Sequence, residues 1–169
     1  MVDITSQSVT DDAKIRTVRK ERAQTMNSIC GANCAECSFS GSCRGCEKTG
    51  GCPFGGRCVA ASYILVGGKE AYLSFKKQLK EEIDRLLRSL GLPESKALHE
   101  LPGDFVNLAY ALPNGTGVQF LDGKNIYLGT QIEYIDGRCI GVVADTTFIL
   151  ICSYGENGCD PELILYKKR

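Results

Sequence analysis

The chain has 169 residues, with 20 acidic and 20 basic side chains, one histidine and ten cysteines. That length suits one ordinary domain, or a small domain with an attached module. The balanced charge argues against a general nucleic-acid binder and against an electrostatic membrane anchor. The longest clear apolar run, 148–152, is far short of a membrane span.

The first residues, MVDITSQSVTDDAKIRT, lack the apolar core that a signal peptide needs. The expectation is a cytoplasmic protein with mostly reduced thiols. Thr10 followed by Asp11 and Asp12 is a helix start, a capping hydroxyl with acids at the positive end of the dipole. The helix is expected to run to about Asn27, with Ile15, Val18 and Met26 on one side and Arg22 interrupting the stripe. Lys14, Arg16, Arg19 and Lys20 make its polar face, read as a solvated face.

The stretch from Cys30 to Cys58 holds seven of the ten cysteines, at the spacing C-x3-C-x2-C-x5-C-x2-C-x5-C-x5-C. Besides the thiols it has seven glycines and almost no core-forming side chains beyond Phe39, Pro53 and Phe54. So little apolar surface does not offset the ordering entropy of the segment, so order requires a cross-link. The candidate metal ligands are Cys30, Cys34, Cys37, Cys43, Cys46, Cys52 and Cys58.

Three chemistries compete. The two C-x2-C pairs, Cys34/Cys37 and Cys43/Cys46, are knuckle-like, and tetrahedral thiolate coordination is the usual structural zinc site. Gly45 suits such a turn because it tolerates positive φ. The loop of five between the pairs is short for a zinc ribbon, which leaves Cys30, Cys52 and Cys58 open as interleaved ligands. Thiolates equally hold a 4Fe-4S cluster. Cys30-x3-Cys34-x2-Cys37 is similar in spacing to the cluster motif of radical S-adenosylmethionine enzymes, but Glu36 stands where that family usually has an aromatic residue. Disulfides are the third possibility, disfavoured by the missing signal and the clustered pairs.

After Cys58, VAASYILV reads as a short helix broken at Gly67-Gly68. From Lys69 to Leu90, Tyr72, Phe75, Leu79, Ile83, Leu86 and Leu90 recur at intervals of three and four, which predicts an amphipathic helix whose stripe faces a sheet. Glu81/Arg85 and Asp84/Arg88 are expected i,i+4 pairs, and Gly91 with Pro93 ends the helix. Beyond Asp104 the period becomes two, in 106–112, GVQFL, NIYLG, QIEYI, CIGVVA, FILICSY and ELILY. Asn114-Gly115, Asp122-Gly123, Asp136-Gly137 and Asn157-Gly158 punctuate these runs as hairpin signals.

The predicted fold is therefore α+β: an N-terminal helix, a cysteine-rich metal-binding module, a long amphipathic helix and a mostly antiparallel β-meander of five to seven strands. The division read from the sequence is 1–28, 29–66 and 67–169.

The CGANCAEC opening, the CRGC at 43–46, Cys52 and the CVAA beginning at Cys58 resemble the cysteine-rich prokaryotic family catalogued as domain of unknown function 3795. The resemblance covers residues 28–62 and implies a metal-binding module without a settled activity. The further cysteines usual in that family are replaced here by the helical segment after Gly67.

Catalytic material is sparse. His99, the only histidine, reads as a surface or interface residue, with service as a fourth ligand to a cysteine site as the alternative. No phosphate loop, G-x-S-x-G or H-E-x-x-H occurs. Cys139 and Cys152 read as small buried hydrophobes in strands, and Cys159 as a loop thiol. The function expected is metal binding, by structural zinc or alternatively an iron–sulfur centre, with a protein or small molecule as partner.

Overall fold

In the computed structural model, which describes residues 28–34, 37 and 41–169, Tyr72, Phe75, Leu79 and Ile83 of the predicted stripe lie on the buried face of helix α1 (Val59–Ser89), but Leu87 takes the next buried position, Leu86 is only half-buried, and Leu90 is exposed beyond the helix end. The helix expected over residues 10–27 lies outside the described residues. α1 joins the two expected helices across a kink at Gly68, whose φ of 79° and ψ of 175° no L-residue adopts without strain. At the other end the Gly91 amide bonds to the Arg88 carbonyl at 3.1 Å and the Leu92 amide to the Leu87 carbonyl at 2.9 Å. With Gly91 at φ 70°, this is the Schellman stop that the glycine predicts.

The strands are β1 (His99–Pro102), β2 (Ala109–Ala111), β3 (Gly117–Gln119), β4 (Ile126–Glu133), β5 (Cys139–Ala144), β6 (Phe148–Tyr154) and β7 (Glu162–Lys168). Five form one antiparallel sheet in the order β1-β4-β5-β6-β7, while β2 and β3 pair separately. Thus β4 to β7 are a meander, and NIYLG and QIEYI belong to one strand rather than two. Of the 106–112 run only Ala109–Ala111 is strand; Val106 and Leu108 are spent on burial instead.

Both faces of the sheet are covered. Tyr72, Phe75, Leu79, Ile83 and Leu87 of α1 share a core with Leu128, Ile140, Val142, Ile149 and Ile151. On the opposite face Val106, Leu108 and Leu121 pack against Tyr127, Val143, Phe148, Leu150 and Tyr154. This explains why β6 is buried along its whole length and reads as a continuous apolar run rather than an alternation.

Two of the four hairpin signals give the expected turn. Asp136 and Gly137 have φ of 58° and 73°, and Asn157 and Gly158 have 55° and 74°. At Asn114-Gly115 only the glycine is at positive φ, and Asp122 instead accepts the Lys124 amide on its own carboxylate at 2.9 Å. Neither expected helix ion pair forms. Arg85 donates to the Glu81 carbonyl at 3.3 Å, Arg88 pairs with Glu94 at 3.4 Å, and Asp84 turns to Lys80 at 2.6 Å. No described helix is long and apolar enough to cross a membrane.

Candidate metal centre

Residues 41–58 fold as a series of turns held by their own backbone. Gly45, at φ 89°, donates its amide to the Cys43 sulfur at 3.3 Å, an N–H···S bond of the kind that thiolate knuckles make. Arg44 donates to the Pro53 carbonyl at 3.1 Å, and Thr49 Oγ1 to the Gly45 carbonyl at 2.7 Å. The Gly51 amide then reaches the Cys46 carbonyl at 2.8 Å, while the Gly51 carbonyl accepts the Cys58 amide at 3.2 Å. Gly51 is therefore the link that lays Cys58 alongside Cys46, twelve positions apart in the chain.

The module is fastened to the fold at Cys58. This residue precedes α1, is 6% exposed, and forms a parallel bridge with Ile126 at the start of β4. Ile29 and Cys30 also pack against the core that Cys58 joins.

Four of the thiols act on one another. Burial pushes the Cys46 thiol up to about 11; the Ile29 amide opposes this, and the fields of Cys30, Cys43 and Cys58 add to it. Burial likewise raises Cys58, with contributions from Cys30 and Glu100. The amides of Ala61 and Ala60 partly offset that rise, although neither makes a capping hydrogen bond to the sulfur. Cys30, Cys43 and Cys58 thus all act on the Cys46 thiol, and Cys30 acts on Cys58 as well. Cys34, Cys37 and Cys52 are half-buried thiols of the same segment. Among the described residues, no three or more Cys, His, Asp or Glu side chains are drawn together tightly enough to hold a metal ion.

These cysteines have a neighbour that sequence reasoning did not single out. Tyr72, expected only as core, donates its hydroxyl to Glu100, and Lys76 binds the same carboxylate oxygen at 3.1 Å. Burial raises the Tyr72 hydroxyl, helped by Glu100 and then by Cys58 and Cys30. Burial also works to raise Glu100, but Tyr72, the backbone and Lys76 outweigh it and hold the carboxyl below its ordinary value. Its strand, HELP, has four residues and a proline, too little for a period to show. His99, at the start of that strand, is exposed and pairs with Gly129.

The remaining cysteines are separate. Cys152 is fully buried, donates to the Gly141 carbonyl at 3.6 Å, and is pushed up to about 11 by burial. Cys139 is half-buried and accepts the Gln131 side-chain amide at 3.4 Å, and Cys159 is exposed. No protein-family model, curated protein or solved structure matches the chain.

Proposed function

We propose that the Cys30–Cys58 segment is a thiolate metal module, that Cys30, Cys43, Cys46 and Cys58 hold its metal, and that the metal is a structural zinc. The observation that supports this reading is the link through Gly51 that lays Cys58 alongside Cys46, with Cys30 and Cys43 acting on the same Cys46 thiol. Uncompensated, their fields oppose ionisation; a divalent cation removes that opposition, since it binds the deprotonated thiolates. The donor set fits zinc, which takes four thiolates without a geometric preference of its own. The shortage of apolar side chains in the segment supports a cross-linking ion, and so does the resemblance of residues 28–62 to the cysteine-rich family. The protein then works in the cytoplasm as a binding or regulatory protein rather than an enzyme.

A redox or electron-transfer protein with a 4Fe-4S cluster is the second reading. The N–H···S bond to Cys43 and the burial of Cys46 and Cys58 favour it, because both features tune cluster potentials.

Elemental analysis and a visible spectrum of protein purified without oxygen test both. One zinc per chain and no colour are expected, with zinc lost in Cys46→Ser and kept in Cys159→Ser. Iron with acid-labile sulfide and a brown spectrum would replace zinc by the cluster. Neither metal in freshly purified, reduced protein would end the metal reading.

A further inference from the structure

We propose that the corner of α1 at Gly68, clasped by the stacking of Tyr63 on Phe75, positions Cys46 and Cys58 for a shared metal ion. It does so for the thiolate centre proposed above, on which this inference rests.

The corner is sharper than a bend within one helix. Tyr63 and Phe75 are twelve residues apart, which in a straight helix separates them by about 18 Å along the axis, beyond the reach of two rings. Their ring centres lie 4.1 Å apart, with the planes 13° from parallel. Side chains four apart on a helix ordinarily keep about 5–6 Å between their Cβ atoms. A Cβ on Gly67 would come within 2.8 Å of the Ala71 Cβ, so the chain turns there too tightly for a side chain. Gly68 has open space where a side chain would stand, so its φ of 79° alone demands glycine.

The arm 59–67 is the floor of the cysteine module. Val59, Ala60 and Ala61 are buried in the core. Gly51 lies flat on this arm, since a Cβ there would stand 2.9 Å from the Ala61 Cβ and 3.5 Å from Leu65 Cδ1. Gly51 is also the residue that bonds both the Cys46 carbonyl and the Cys58 amide. Cys58 opens the arm, its carbonyl accepting the Ser62 amide at 2.9 Å. The tilt of the arm therefore decides where both cysteines stand. Phe75, 7% exposed in the core that α1 shares with the sheet, is a fixed seat for the half-buried Tyr63. The clasp thus refers that tilt to the sheet. Tyr63 and Gly68 are positioning residues, acting on the ion only through these cysteines.

Zinc affinity of the reduced full chain, measured by competition with a chromophoric chelator, tests the proposal. Tyr63→Ala is expected to weaken zinc binding about 10–100-fold, the usual cost of losing a residue that orients a ligand. Tyr63→Phe, which keeps the stack, is expected to bind as the wild type does. Gly68→Ala should weaken binding as Tyr63→Ala does. Gly91→Ala is the matched control, because Gly91 also combines positive φ, 70°, with open space but sits at the far end of α1. It should lower the urea midpoint and leave zinc affinity unchanged. If Gly68→Ala fails to fold, Tyr63→Ala imposes no backbone strain and decides alone. Unchanged affinity in Tyr63→Ala, or an equal loss in Gly91→Ala, would overturn the proposal. A wild type that binds no zinc would instead remove the metal reading, and the proposal with it.

Discussion

Arg57 and Asn125 fasten the cysteine module to the sheet. The Arg57 amide donates to Asn125 Oδ1 at 2.7 Å, and the Ile126 amide returns to the Arg57 carbonyl at 2.8 Å. Asn125 Nδ2 in turn donates to the Tyr127 hydroxyl at 3.0 Å, so one amide side chain ties the module to β4. Gly56 lies flat on this joint. A Cβ there would strike Asn125 Oδ1 and come within 2.6 Å of the Lys124 carbonyl. Gly56→Ala is therefore expected to destabilise the protein by about 1–3 kcal/mol, as overpacking against backbone does. Asn125→Ala should cost about 1 kcal/mol, the worth of an ordinary hydrogen bond. Urea unfolding followed by circular dichroism measures both. A Gly56→Ala protein as stable as the wild type would mean that the module does not rest on the 124–125 loop.

How far the sequence carries such a reading differs between the helix and the site. Most of the stripe of α1 was legible because Tyr72, Phe75, Leu79 and Ile83 repeat at three and four, the helical period; Leu87 was missed because Leu86 fits the same spacing. β1 was not legible, because four residues containing a proline show no period, and its pairing with β4 is decided by distant chain. The cysteines stand out in the sequence by their spacing. That Cys58 lies alongside Cys46 does not, because the two meet only through the two hydrogen bonds of Gly51. Spacing counts residues along the chain and says nothing of a path folded back by turns.

Asp84 is 8% exposed and works as a staple between α1 and the segment after it. Its Oδ1 accepts the Ser95 amide at 3.0 Å and the Ser95 hydroxyl at 2.7 Å, and its Oδ2 accepts Lys80 at 2.6 Å. Burial acts to raise its pKa, but Lys80 and Ser95 prevail and hold it below the ordinary carboxylate value. A depressed folded-state pKa contributes stability that is complete above the unfolded value of about 3.9 and is lost as pH falls through the folded value. Asp84→Ala is expected to cost about 2–3 kcal/mol at pH 7, because it strands buried donors. The difference from wild type should narrow as pH drops below about 4. Paired urea titrations at pH 7 and pH 3 check this, and an unchanged difference at pH 3 would show that the carboxylate charge is irrelevant.

Glu82 joins α1 to the end of the chain. It binds Lys167 at 2.7 Å and Arg169 at 3.0 Å, while the Arg169 guanidinium also lies 5.4 Å from the Phe75 ring centre. Lys167 keeps 44% of its side chain in solvent, so screening limits the pair. Glu82→Gln is expected to lower stability by no more than about 1 kcal/mol, with most of the effect gone in about 1 M salt, where the Debye length is about 3 Å. A loss unaffected by salt would point to packing rather than charge.

The turn at Asp136-Gly137 sets the β4–β5 register, and its geometry leaves little choice of residue. Gly137 has φ 73° and open space where a side chain would stand, so conformation alone resists substitution there. Gly137→Val is expected to cost about 1–3 kcal/mol, the range for a side chain forced into a left-handed backbone. Gly137→Asn should be milder, because asparagine tolerates that region. Thermal unfolding of the two variants separates strain from loss of a contact. Equal stability for Val and Asn would contradict a type I′ turn at this site.

The metal reading makes one more demand, on the order in which thiols become reactive. The cores beside α1 and on the far face of the sheet draw most of their side chains from outside the cysteine module. Removing the metal with a strong chelator should therefore loosen residues 41–58 while β4 to β6 stay folded. If one ion holds Cys30, Cys43, Cys46 and Cys58, as proposed, all four should then become reactive to iodoacetamide together. Cys152, fully buried between strands, should stay unreactive until global unfolding. Peptide mass spectrometry after timed alkylation distinguishes the outcomes. Concerted labelling of the four on chelation supports a single shared centre. Labelling of all seven module cysteines at one rate, with or without chelator, would mean that no metal selects among them.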